Sequence, residues 1–494
     1  MNDPLTYRTD VGSDATALID ADTDDRWTVA DLDAAVERTA GRLAALGVRP
    51  GDRLGVVLPP RPATVRVIHA AIRLGATLVP LGPRLTAAEL ADRLERADAT
   101  TLVCDASTAA SVSAAASDAG GVPVVSVDGE SDGAAALAAR TPDAVVPHDW
   151  YLDSTVVLPF TSGTTGEPKG VHLTLRNLLA SAVASTFRLG LDRAETWHVA
   201  LPPHHVGGFT PLFRMPLYGM TVVIRESFDV ETVAADVGRY DVTATSLVPT
   251  TLSRVLDATT GSLGTSLRTV LLGGAPASEA LLDRCTERGV PVFPTYGMTE
   301  TASQIATATP EEARTNPGTV GRPLFWTRVT VRDEDGDERP PGEVGEFVVS
   351  GPTVTPGYLG DRGDDAFEPA GLRTGDVGYR DADGRLWVIG RTDDLIVTGG
   401  ENVAPAEVVE RLRDHPDVAD AAVVGLPDEE WGERVAALVV PREGAPPSVD
   451  ALDAHCRAAL AGYKVPRTIE FADSIPRTDS GTVRREAVRE QLRD

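Results

Sequence analysis

Residues 161–170 combine hydroxyl, glycine and lysine side chains in a pattern suited to binding phosphate. They read TSGTTGEPKG and directly follow the apolar run VVLPF. In such a loop glycines let backbone N–H groups approach an anion, hydroxyls donate hydrogen bonds, and Lys169 supplies a positive charge. The spacing is not the GxxxxGK[ST] of P-loop nucleotidases, and the alternative interpretation is a flexible Ser/Thr/Gly turn. We predict a phosphate site.

The composition of the chain limits the kinds of molecule that it can bind. The 494 residues suffice for two or three domains, and 46 basic against 73 acidic residues give a formal charge of -27. Such a chain is poorly suited to binding nucleic acid or anionic lipid. Three distant cysteines, Cys104, Cys285 and Cys456, argue against a disulfide framework or zinc cluster. Without a long apolar run or a hydrophobic N-terminal signal, we expect a cytoplasmic protein, for which a homodimer would be ordinary.

Lysine is almost absent from the chain. Only Lys169 and Lys464 are lysines, and the other 44 of the 46 basic residues are arginine. Strong acidity with scarce lysine is typical of proteins adapted to high internal salt. At molar ionic strength the Debye length is about 3 Å, so the surplus of negative charge repels itself far less. The alternative is an acidic protein from a GC-rich genome.

The first half of the chain alternates short apolar strands with amphipathic helices, which predicts βαβ units and covered parallel sheets in an α/β fold. Residues 118–139 are rich in Gly and Asp and are predicted to form a surface loop. Helices are predicted over 28–46, which Gly47 ends, and over Thr64–Gly75 and Thr86–Ala97; strands are predicted at Arg53–Leu58, Thr77–Leu81, Thr155–Phe160, Thr221–Ile224, Thr269–Leu272 and Val292–Pro294.

The second half changes character twice. Residues 344–389 alternate apolar residues with Gly/Asp turns and are predicted to be rich in β-strands. Beyond residue 391, helices at 405–413 and 449–460, the strands AAVVGL, RVAALVVP and TIEFA, and a tail helix describe a compact α+β unit. We therefore predict a large N-terminal domain over 1–391 and a small mobile C-terminal domain over 394–494, with a hinge near 392–393.

The phosphate loop closely resembles that of the adenylate-forming enzymes, which include acyl- and aryl-CoA synthetases, luciferases and the adenylation domains of peptide synthetases. The resemblance implies two half-reactions. A carboxylate first attacks the α-phosphate of ATP to give an acyl-adenylate and pyrophosphate, and the thiol of coenzyme A then displaces AMP. It spans about residues 25–494 and continues through LGGAP (272–276), YGMTE (296–300), TGD (374–376), GRTDDLIVTGGENVAP (390–405) and GYKVP (462–466).

The resemblance also implies residue roles. Tyr296 would lie against adenine, Thr299 near the α-phosphate, and Glu300 on Mg²⁺, which a carboxylate beside a triphosphate requires. The alternative for YGMTE is a Tyr-Gly turn after a strand. The implied catalytic residues are Lys169, Thr299, Glu300 and His205. The implied nucleotide site comprises Thr161, Ser162, Gly163, Thr164, Thr165, Gly166, Lys169, Gly274, Ala275, Pro276, Tyr296, Thr299, Asp376 and Arg391, of which Asp376 and Arg391 would bind the ribose hydroxyls.

The small domain is implied to pivot about Asp393 between the two half-reactions. In the thiolation arrangement the segment TGGEN would line a tunnel for the pantetheine of coenzyme A, with Gly399, Gly400, Glu401 and Asn402 in its wall.

One motif departs from the family. The C-terminal loop usually ends in Gly-Lys, and its lysine bridges the substrate carboxylate and the α-phosphate; here the loop reads PRTDSGTVRRE and places Thr482 at that position. Three explanations stay open. Arg477, Arg484 or Arg485 replaces the lysine, although a guanidinium is not equivalent to an ammonium group. Alternatively adenylation is slow while thiolation is intact, or the chain has lost adenylation.

The acid pocket is expected around residues 201–214 and 301–305, where Thr301 and Ser303 are further candidate contacts. His205 occupies the family's acyl-pocket position, and the alternative is a core histidine with satisfied hydrogen bonds. Arg214 interrupts the apolar stretch PLFRMPLYGMTVVI, where a buried guanidinium is costly without an anion. We predict that Arg214 binds a second substrate carboxylate, with an interdomain salt bridge as the alternative.

A substrate with two carboxylates narrows the resemblance to the o-succinylbenzoate-CoA ligase branch of menaquinone biosynthesis. The runs YGMTETASQIAT, GTVGRPLF and GLPDEEWGERVAALVVP, and the nine-residue spacing of His205 and Arg214, carry this likeness. It implies that the succinyl carboxylate is adenylated while Arg214 holds the benzoate. The rivals are a ligase for a medium-chain or 4-coumarate-like acid, a nucleotide-binding homologue impaired in adenylation, and a carrier-loading adenylation domain.

Overall fold

A computed structural model describes residues 3–161, 168–259, 261, 263–360, 364–399, 401–428, 430–442, 447–477 and 483–493. Its helices are α1 (Pro4–Gly12), α2 (Val29–Ala45), α3 (Pro62–Leu74), α4 (Ala87–Ala97), α5 (Ala109–Asp118), α6 (Leu175–Leu189), α7 (Val206–Tyr218), α8 (Val230–Arg239), α9 (Pro249–Ala258), α10 (Glu279–Glu287), α11 (Pro310–Thr315), α12 (Pro405–Arg413), α13 (Val449–Arg457) and α14 (Arg485–Gln491).

The strands are β1 (Thr16–Asp20), β2 (Arg26–Thr28), β3 (Arg53–Val57), β4 (Thr77–Pro80), β5 (Thr101–Cys104), β6 (Val124–Ser126), β7 (Ala135–Ala136), β8 (Thr155–Val157), β9 (Phe160–Thr161), β10 (Lys169–Gly170), β11 (Leu173–Thr174), β12 (Thr196–Val199), β13 (Thr221–Ile224), β14 (Ala244–Leu247), β15 (Thr269–Leu272), β16 (Val292–Met298), β17 (Ser303–Thr307), β18 (Arg322–Pro323), β19 (Arg328–Arg332), β20 (Gly345–Ser350), β21 (Phe367–Glu368), β22 (Gly371–Arg380), β23 (Leu386–Arg391), β24 (Ile396–Thr398), β25 (Glu401–Val403), β26 (Val418–Asp428), β27 (Gly432–Pro441) and β28 (Thr468–Phe471).

Two large sheets form the N-terminal part. One has the order β11-β8-β4-β3-β5-β6-β7 and the other β18-β17-β16-β15-β14-β12-β13-β1-β2. Strands β3, β4 and β5 are parallel, as are β12 to β16 in their pairings with one another. The apolar residues of these strands and of the helices that cover them are buried in shared cores. The predicted α/β class is therefore confirmed.

Local sequence signals explain where several helices begin. The Thr28 hydroxyl accepts from the backbone N–H of Asp31, whose carboxylate accepts from the backbone N–H of Thr28, and this reciprocal cap starts α2. Thr174 and Asn177 form the same cap at the start of α6, which contributes to the site described below. Both caps use residues three apart, so each depends only on the sequence at the start of its own helix.

The prediction of a loop over residues 118–139 is wrong in part. Val124–Ser126 forms β6, which pairs in parallel with β5 and buries Val125. A three-residue strand is too short to carry a readable alternation, so its place at the sheet edge follows only from pairing. Strand β16 also runs four residues beyond the predicted end at Pro294, and it thereby carries Tyr296.

The last two sheets divide near residue 392. Strands β19 to β23 form a five-stranded sheet that ends at Arg391, and β24 to β28 form another that begins at Ile396. Helices α12, α13 and α14 accompany the latter sheet. The division into two domains that move about a hinge at 392–393 stays a prediction. None of the described helices has the length and apolar character needed to cross a bilayer.

Candidate functional site

The ends of the predicted phosphate loop face each other. Thr161 in β9 and Lys169 in β10 are partners in an antiparallel pair, so the two strands bring both ends of the intervening loop together. The Lys169 ammonium group lies 5.2 Å from the centre of the Tyr358 ring, within the range of a cation–π contact. The predicted phosphate contacts Ser162, Gly163, Thr164, Thr165 and Gly166 lie outside the described residues.

The YGMTE segment makes a tight turn at the end of β16. Thr299–Thr301 forms one turn of 3₁₀-helix, and the backbone is left-handed at Ala302, where φ is +53°. A Cβ atom on Gly297 would stand 1.8 Å from the Ser303 carbonyl oxygen, so this crossing requires glycine. The turn places Thr299 and Glu300 beyond the carboxyl end of a parallel strand, the usual ligand edge of an α/β sheet.

Glu300 is a buried carboxylate at the centre of the site. It is 7% exposed, and its Oε1 accepts a 2.9 Å hydrogen bond from the Tyr358 hydroxyl. Burial raises the pKa of Glu300, and the hydrogen bond from Tyr358 and the charge of Arg391 oppose this only partly. The described residues contain no cluster of three or more His, Cys, Asp or Glu side chains that could hold a metal. A single carboxylate nonetheless fits Mg²⁺, which is commonly bound by one or two carboxylates together with substrate phosphates.

Asp376, Tyr296 and Arg391 form a second polar group. The Tyr296 hydroxyl donates to Asp376 Oδ2 at 2.6 Å, and Arg391 Nη1 donates to Asp376 Oδ1 at 3.1 Å. Arg391 is the cross-strand partner of Asp376 between β23 and β22. A Cβ atom on Gly375 would lie 2.8 Å from the Arg391 guanidinium, so the glycine of TGD makes room for it. Burial raises the pKa of the Asp376 carboxyl, which Arg391 partly offsets.

The predicted adenine-side segment occupies the neighbouring strand end. Gly274, Ala275 and Pro276 are exposed just after β15, whose last residue Leu272 pairs with Pro294 of β16. The segment therefore lies beside the end of β16 that carries Tyr296. One side of the Tyr296 ring packs against Phe347, with ring centres 5.8 Å apart. The structure thus places the LGGAP and YGMTE motifs at the same sheet edge.

Arg214 is buried in α7 without an acidic partner among the described residues. Its exposure is 3%, and its Nη2 and Nη1 donate to the hydroxyls of Ser181 and Ser185 in α6 at 2.8 and 3.1 Å. The Arg214 Nε atom is buried and makes no hydrogen bond. Burial lowers the pKa of Arg214. The interdomain salt bridge, the alternative interpretation of this residue, is absent from the contacts that the structure describes.

The Ser181 hydroxyl connects Arg214 to the turn after β16. It accepts the hydrogen bond from Arg214 and donates a 2.7 Å hydrogen bond to the Ala302 carbonyl. The structure thereby brings Arg214 to the backbone between Thr301 and Ser303. The Thr301 side chain is fully buried and donates to the Met298 carbonyl at 3.1 Å. The roles of Thr301 and Ser303 in binding substrate stay predictions.

His205 stands just before the first residue of α7, nine residues before Arg214. Nine residues correspond to roughly 13 Å along a helix axis. The ring of His205 lies 4.3 Å from that of His204, centre to centre. Burial, together with the charges of His205 and Arg84, lowers the pKa of His204 to about 3, so His204 is neutral. The catalytic and pocket role of His205 stays a prediction.

The predicted hinge adjoins the Asp376 group, because the Thr392 hydroxyl donates to the Gly375 carbonyl at 2.7 Å. Asp393 is exposed in the turn Thr392–Asp394, and Gly399 has a left-handed backbone with φ of +61° before the exposed Glu401. Gly400, Thr482 and the side chain of Asn402 lie outside the described residues.

The arginines flanking the C-terminal loop differ in the ion pairs that they form. Arg477 pairs with Asp420 at 2.9 Å, and Arg485 pairs with Asp394 at 2.8 Å. Arg484 is exposed just before α14. Of the three candidate replacements for the missing lysine, Arg484 therefore needs to break the fewest described contacts to enter a site.

No sequence pattern indicated Ser181, Ser185 or Tyr358 as residues of the site. The two serines lie four residues apart in α6, on a stretch made mostly of apolar and small residues. Tyr358 lies in a Pro/Gly-rich turn. The i, i+4 spacing of the serines signals a shared helix face, but no local pattern indicates that Arg214 packs on it.

Known proteins are similar to this chain over nearly its whole length. A family model described as AMP-binding enzyme matches residues 6–359, and one described as AMP-binding enzyme C-terminal domain matches residues 407–482. The 2-succinylbenzoate–CoA ligase of Bacillus licheniformis is 39% identical over 483 residues, covering 97% of this chain and 98% of that protein.

Two solved structures share the fold over nearly their entire length. The o-succinylbenzoate CoA synthetase of Bacillus subtilis in complex with the acyl-adenylate intermediate OSB-AMP is 37% identical, with a TM-score of 0.92 and coverage of 100% of this chain and 98% of that one. The same enzyme in complex with ATP and a magnesium ion gives a TM-score of 0.91 at 37% identity, with full coverage of both chains. The chain described here therefore belongs to the family of AMP-binding enzymes.

Proposed function

We propose that this chain is an ATP-dependent acid–thiol ligase that adenylates o-succinylbenzoate, releases pyrophosphate, and transfers the acyl group to coenzyme A. The observation that carries the choice of acid is Arg214. Its buried guanidinium is held by two neutral hydroxyls and has no carboxylate partner among the described residues. A buried cation without a counter-ion is costly, so a substrate carboxylate that reaches it gains a strong charge-assisted contact.

The relatives support this substrate. The Bacillus licheniformis protein is a 2-succinylbenzoate–CoA ligase, and the solved Bacillus subtilis enzyme carries the OSB adenylate. An acid with two carboxylates uses one for activation and leaves the other for recognition. In our proposal the succinyl carboxylate is activated and the benzoate carboxylate contacts Arg214.

The nucleotide is proposed to lie along the carboxyl ends of β15 and β16. Asp376 would accept both ribose hydroxyls, because each of its oxygens retains acceptor capacity beside the single hydrogen bond from Tyr296 or Arg391. Gly274, Ala275 and Pro276 would line the adenine. Lys169, with the hydroxyls and backbone of residues 161–166, would bind the phosphates.

Glu300 is the proposed Mg²⁺ ligand. When bound, Mg²⁺ would offset the negative charge of the triphosphate beside this carboxylate. The chain itself contributes position: the 3₁₀ turn fixes Glu300 beside Thr299, which would contact the α-phosphate. Charge stabilisation by groups already held in place is the expected main contribution to the first half-reaction.

The second half-reaction is proposed to use a different placement of residues 394–494. Rotation about Asp393 would bring Gly399, Gly400, Glu401 and Asn402 toward the adenylate to guide the pantetheine arm. The coenzyme A thiol then attacks the acyl carbon and AMP departs. The domain limits 1–391 and 394–494 are part of this proposal.

The test is pyrophosphate release with o-succinylbenzoate, ATP and Mg²⁺ in molar KCl, followed by coenzyme A and mass detection of the thioester. The matched control substrate is 4-oxo-4-phenylbutanoate, which lacks only the aromatic carboxylate. Wild type should favour o-succinylbenzoate in kcat/KM by about tenfold or more, as loss of a charged contact predicts. Arg214→Met should abolish this preference. Equal use of both acids by the wild type would instead favour a ligase for simpler aryl or medium-chain acids.

A further inference from the structure

The segment Thr355–Leu359 joins the two parts of the proposed phosphate site. Its first residue donates a backbone hydrogen bond to the Glu300 carbonyl at 2.7 Å. Its last residue donates one to the Gly170 carbonyl at 2.8 Å, next to Lys169. Between them, Tyr358 forms a β-bridge with Val171. One short segment is therefore fixed both to the turn that carries Glu300 and to the strand that carries Lys169.

The Tyr358 side chain also contacts both groups, Glu300 through its hydroxyl and Lys169 through its ring. Its hydroxyl donates to Glu300 Oε1 at 2.9 Å, and its ring centre lies 5.2 Å from the Lys169 ammonium group. The ring edge packs against Phe367 at 5.8 Å between centres, which limits rotation of the side chain. A phenol suits both contacts, because its hydroxyl orients an anion while its π-face attracts a cation.

We propose that Tyr358 is a positioning residue that holds the Glu300 carboxylate and the Lys169 ammonium group in register for the magnesium complex of ATP. This inference rests on the proposed function and deepens it. A direct Lys169–Glu300 ion pair would occupy the charges that the nucleotide and Mg²⁺ need. Tyr358 instead separates the two groups with a neutral side chain. One donated hydrogen bond also leaves the other acceptor positions of the carboxylate open to a cation.

The hydroxyl and the ring make separate contributions that two substitutions resolve. Tyr358→Phe removes the hydrogen bond to Glu300 and keeps the ring under Lys169. Tyr358→Leu removes both. Loss of a group that orients a metal ligand commonly costs about 10- to 100-fold in metal affinity. We therefore expect Tyr358→Phe to raise the half-saturating Mg²⁺ concentration about tenfold, and Tyr358→Leu to raise the KM for ATP as well.

The experiment measures pyrophosphate release against Mg²⁺, ATP and acid concentration, each varied with the others saturating. Tyr151→Phe, a change at an exposed tyrosine, is the matched control and should behave as wild type. A shift confined to Mg²⁺ in Tyr358→Phe supports the proposal. An unchanged Mg²⁺ dependence overturns it, and so does an equal rise in the KM for the acid, since that indicates general distortion.

A calorimetric titration separates this proposal from the proposed function. Binding of ATP to each variant at several Mg²⁺ concentrations requires no turnover. If the wild type releases no pyrophosphate with any acid, the ligase assignment fails, while a Mg²⁺ dependence of ATP binding that is weakened in Tyr358→Phe still supports the role of Tyr358. Equal Mg²⁺ dependence of binding in wild type and Tyr358→Phe overturns that role whatever the activity.

Discussion

Asp394 and Arg485 form an ion pair of 2.8 Å between the turn at residues 392–394 and the first residue of α14. Asp394 is mostly buried, and burial raises the pKa of its carboxyl, with Arg485 and Arg391 opposing this. The pair ties the last helix to the predicted hinge. Arg485 therefore makes a structural contact. It lies three residues after Thr482, which occupies the position of the family's catalytic lysine.

Arg484 is the expected substitute for that lysine. It is exposed just before α14, whereas Arg477 and Arg485 are each paired with an aspartate. Arg484→Gln should slow pyrophosphate release about ten- to hundredfold, the usual cost of a hydrogen bond to a charged group. Single-turnover assays of each half-reaction measure this.

Two further variants test the same assignment. Arg477→Gln, which loses the pair with Asp420, should leave pyrophosphate release nearly unchanged, because a guanidinium already engaged by Asp420 is not available to the substrate. Thr482→Lys should accelerate adenylation where that step limits turnover. A normal rate in Arg484→Gln would exclude Arg484 and favour intrinsically slow adenylation.

Replacing Arg214 should separate stability from function. Arg214→Met retains much of the volume but removes a buried charge that has no carboxylate partner among the described residues. The free enzyme should therefore be as stable as wild type or more stable. The KM for o-succinylbenzoate should rise by one to three orders of magnitude, corresponding to about 1.4–4 kcal/mol. Thermal melting without ligand and steady-state kinetics measure the two effects. A lower melting temperature with an unchanged KM would identify Arg214 as a structural residue.

His69 should make the fold sensitive to acid. Burial lowers the pKa of His69 to about 4, and the charge of Asp3 and the Leu212 carbonyl only partly oppose this. In the unfolded chain the pKa returns to about 6.5. Between these two pKa values the unfolded state binds a proton that the folded state does not. The contribution of neutral His69 to the free energy of unfolding is therefore complete above pH 6.5 and is lost as the pH falls toward 4.

Protonation of His69 should lower the free energy of unfolding by about 3 kcal/mol between roughly pH 6.5 and pH 4. Urea unfolding at pH 7 and pH 4.5 should show a smaller loss of stability in His69→Gln than in wild type. Because the His69 Nε2 lies 3.2 Å from the Leu212 carbonyl, glutamine retains a donor for that position. An identical pH slope in the variant would contradict the assignment to His69.

Salt should stabilise the protein and support its activity. A formal charge of -27 favours expansion of the chain at low ionic strength, and molar KCl shortens the Debye length to about 3 Å. We expect the melting temperature and kcat/KM to rise together as KCl increases from 0.1 to 2 M, and choline chloride to reproduce the effect if screening is its cause. Full activity and stability in dilute buffer would contradict adaptation to high salt.

Local sequence patterns determined the elements and motifs of this protein. Apolar alternation, caps three residues apart and turn glycines act within a few residues, so Thr221–Ile224 and Thr269–Leu272 form strands within the predicted limits. The phosphate, YGMTE and TGD motifs resemble those of the adenylate-forming enzymes, and that resemblance implied a nucleotide site.

Only the tertiary structure decided which side chains meet. Tyr296 and Asp376 are 80 residues apart, and Arg214 lies 29 and 33 residues from the serines that hold it. Such contacts depend on how whole strands and helices pack, and no window of the sequence specifies that packing. The same packing left Arg214 without a carboxylate partner in the part of the chain that the structure describes, and it set Tyr358 between Lys169 and Glu300. The environment of a charge is created by folding rather than by its neighbours in the chain.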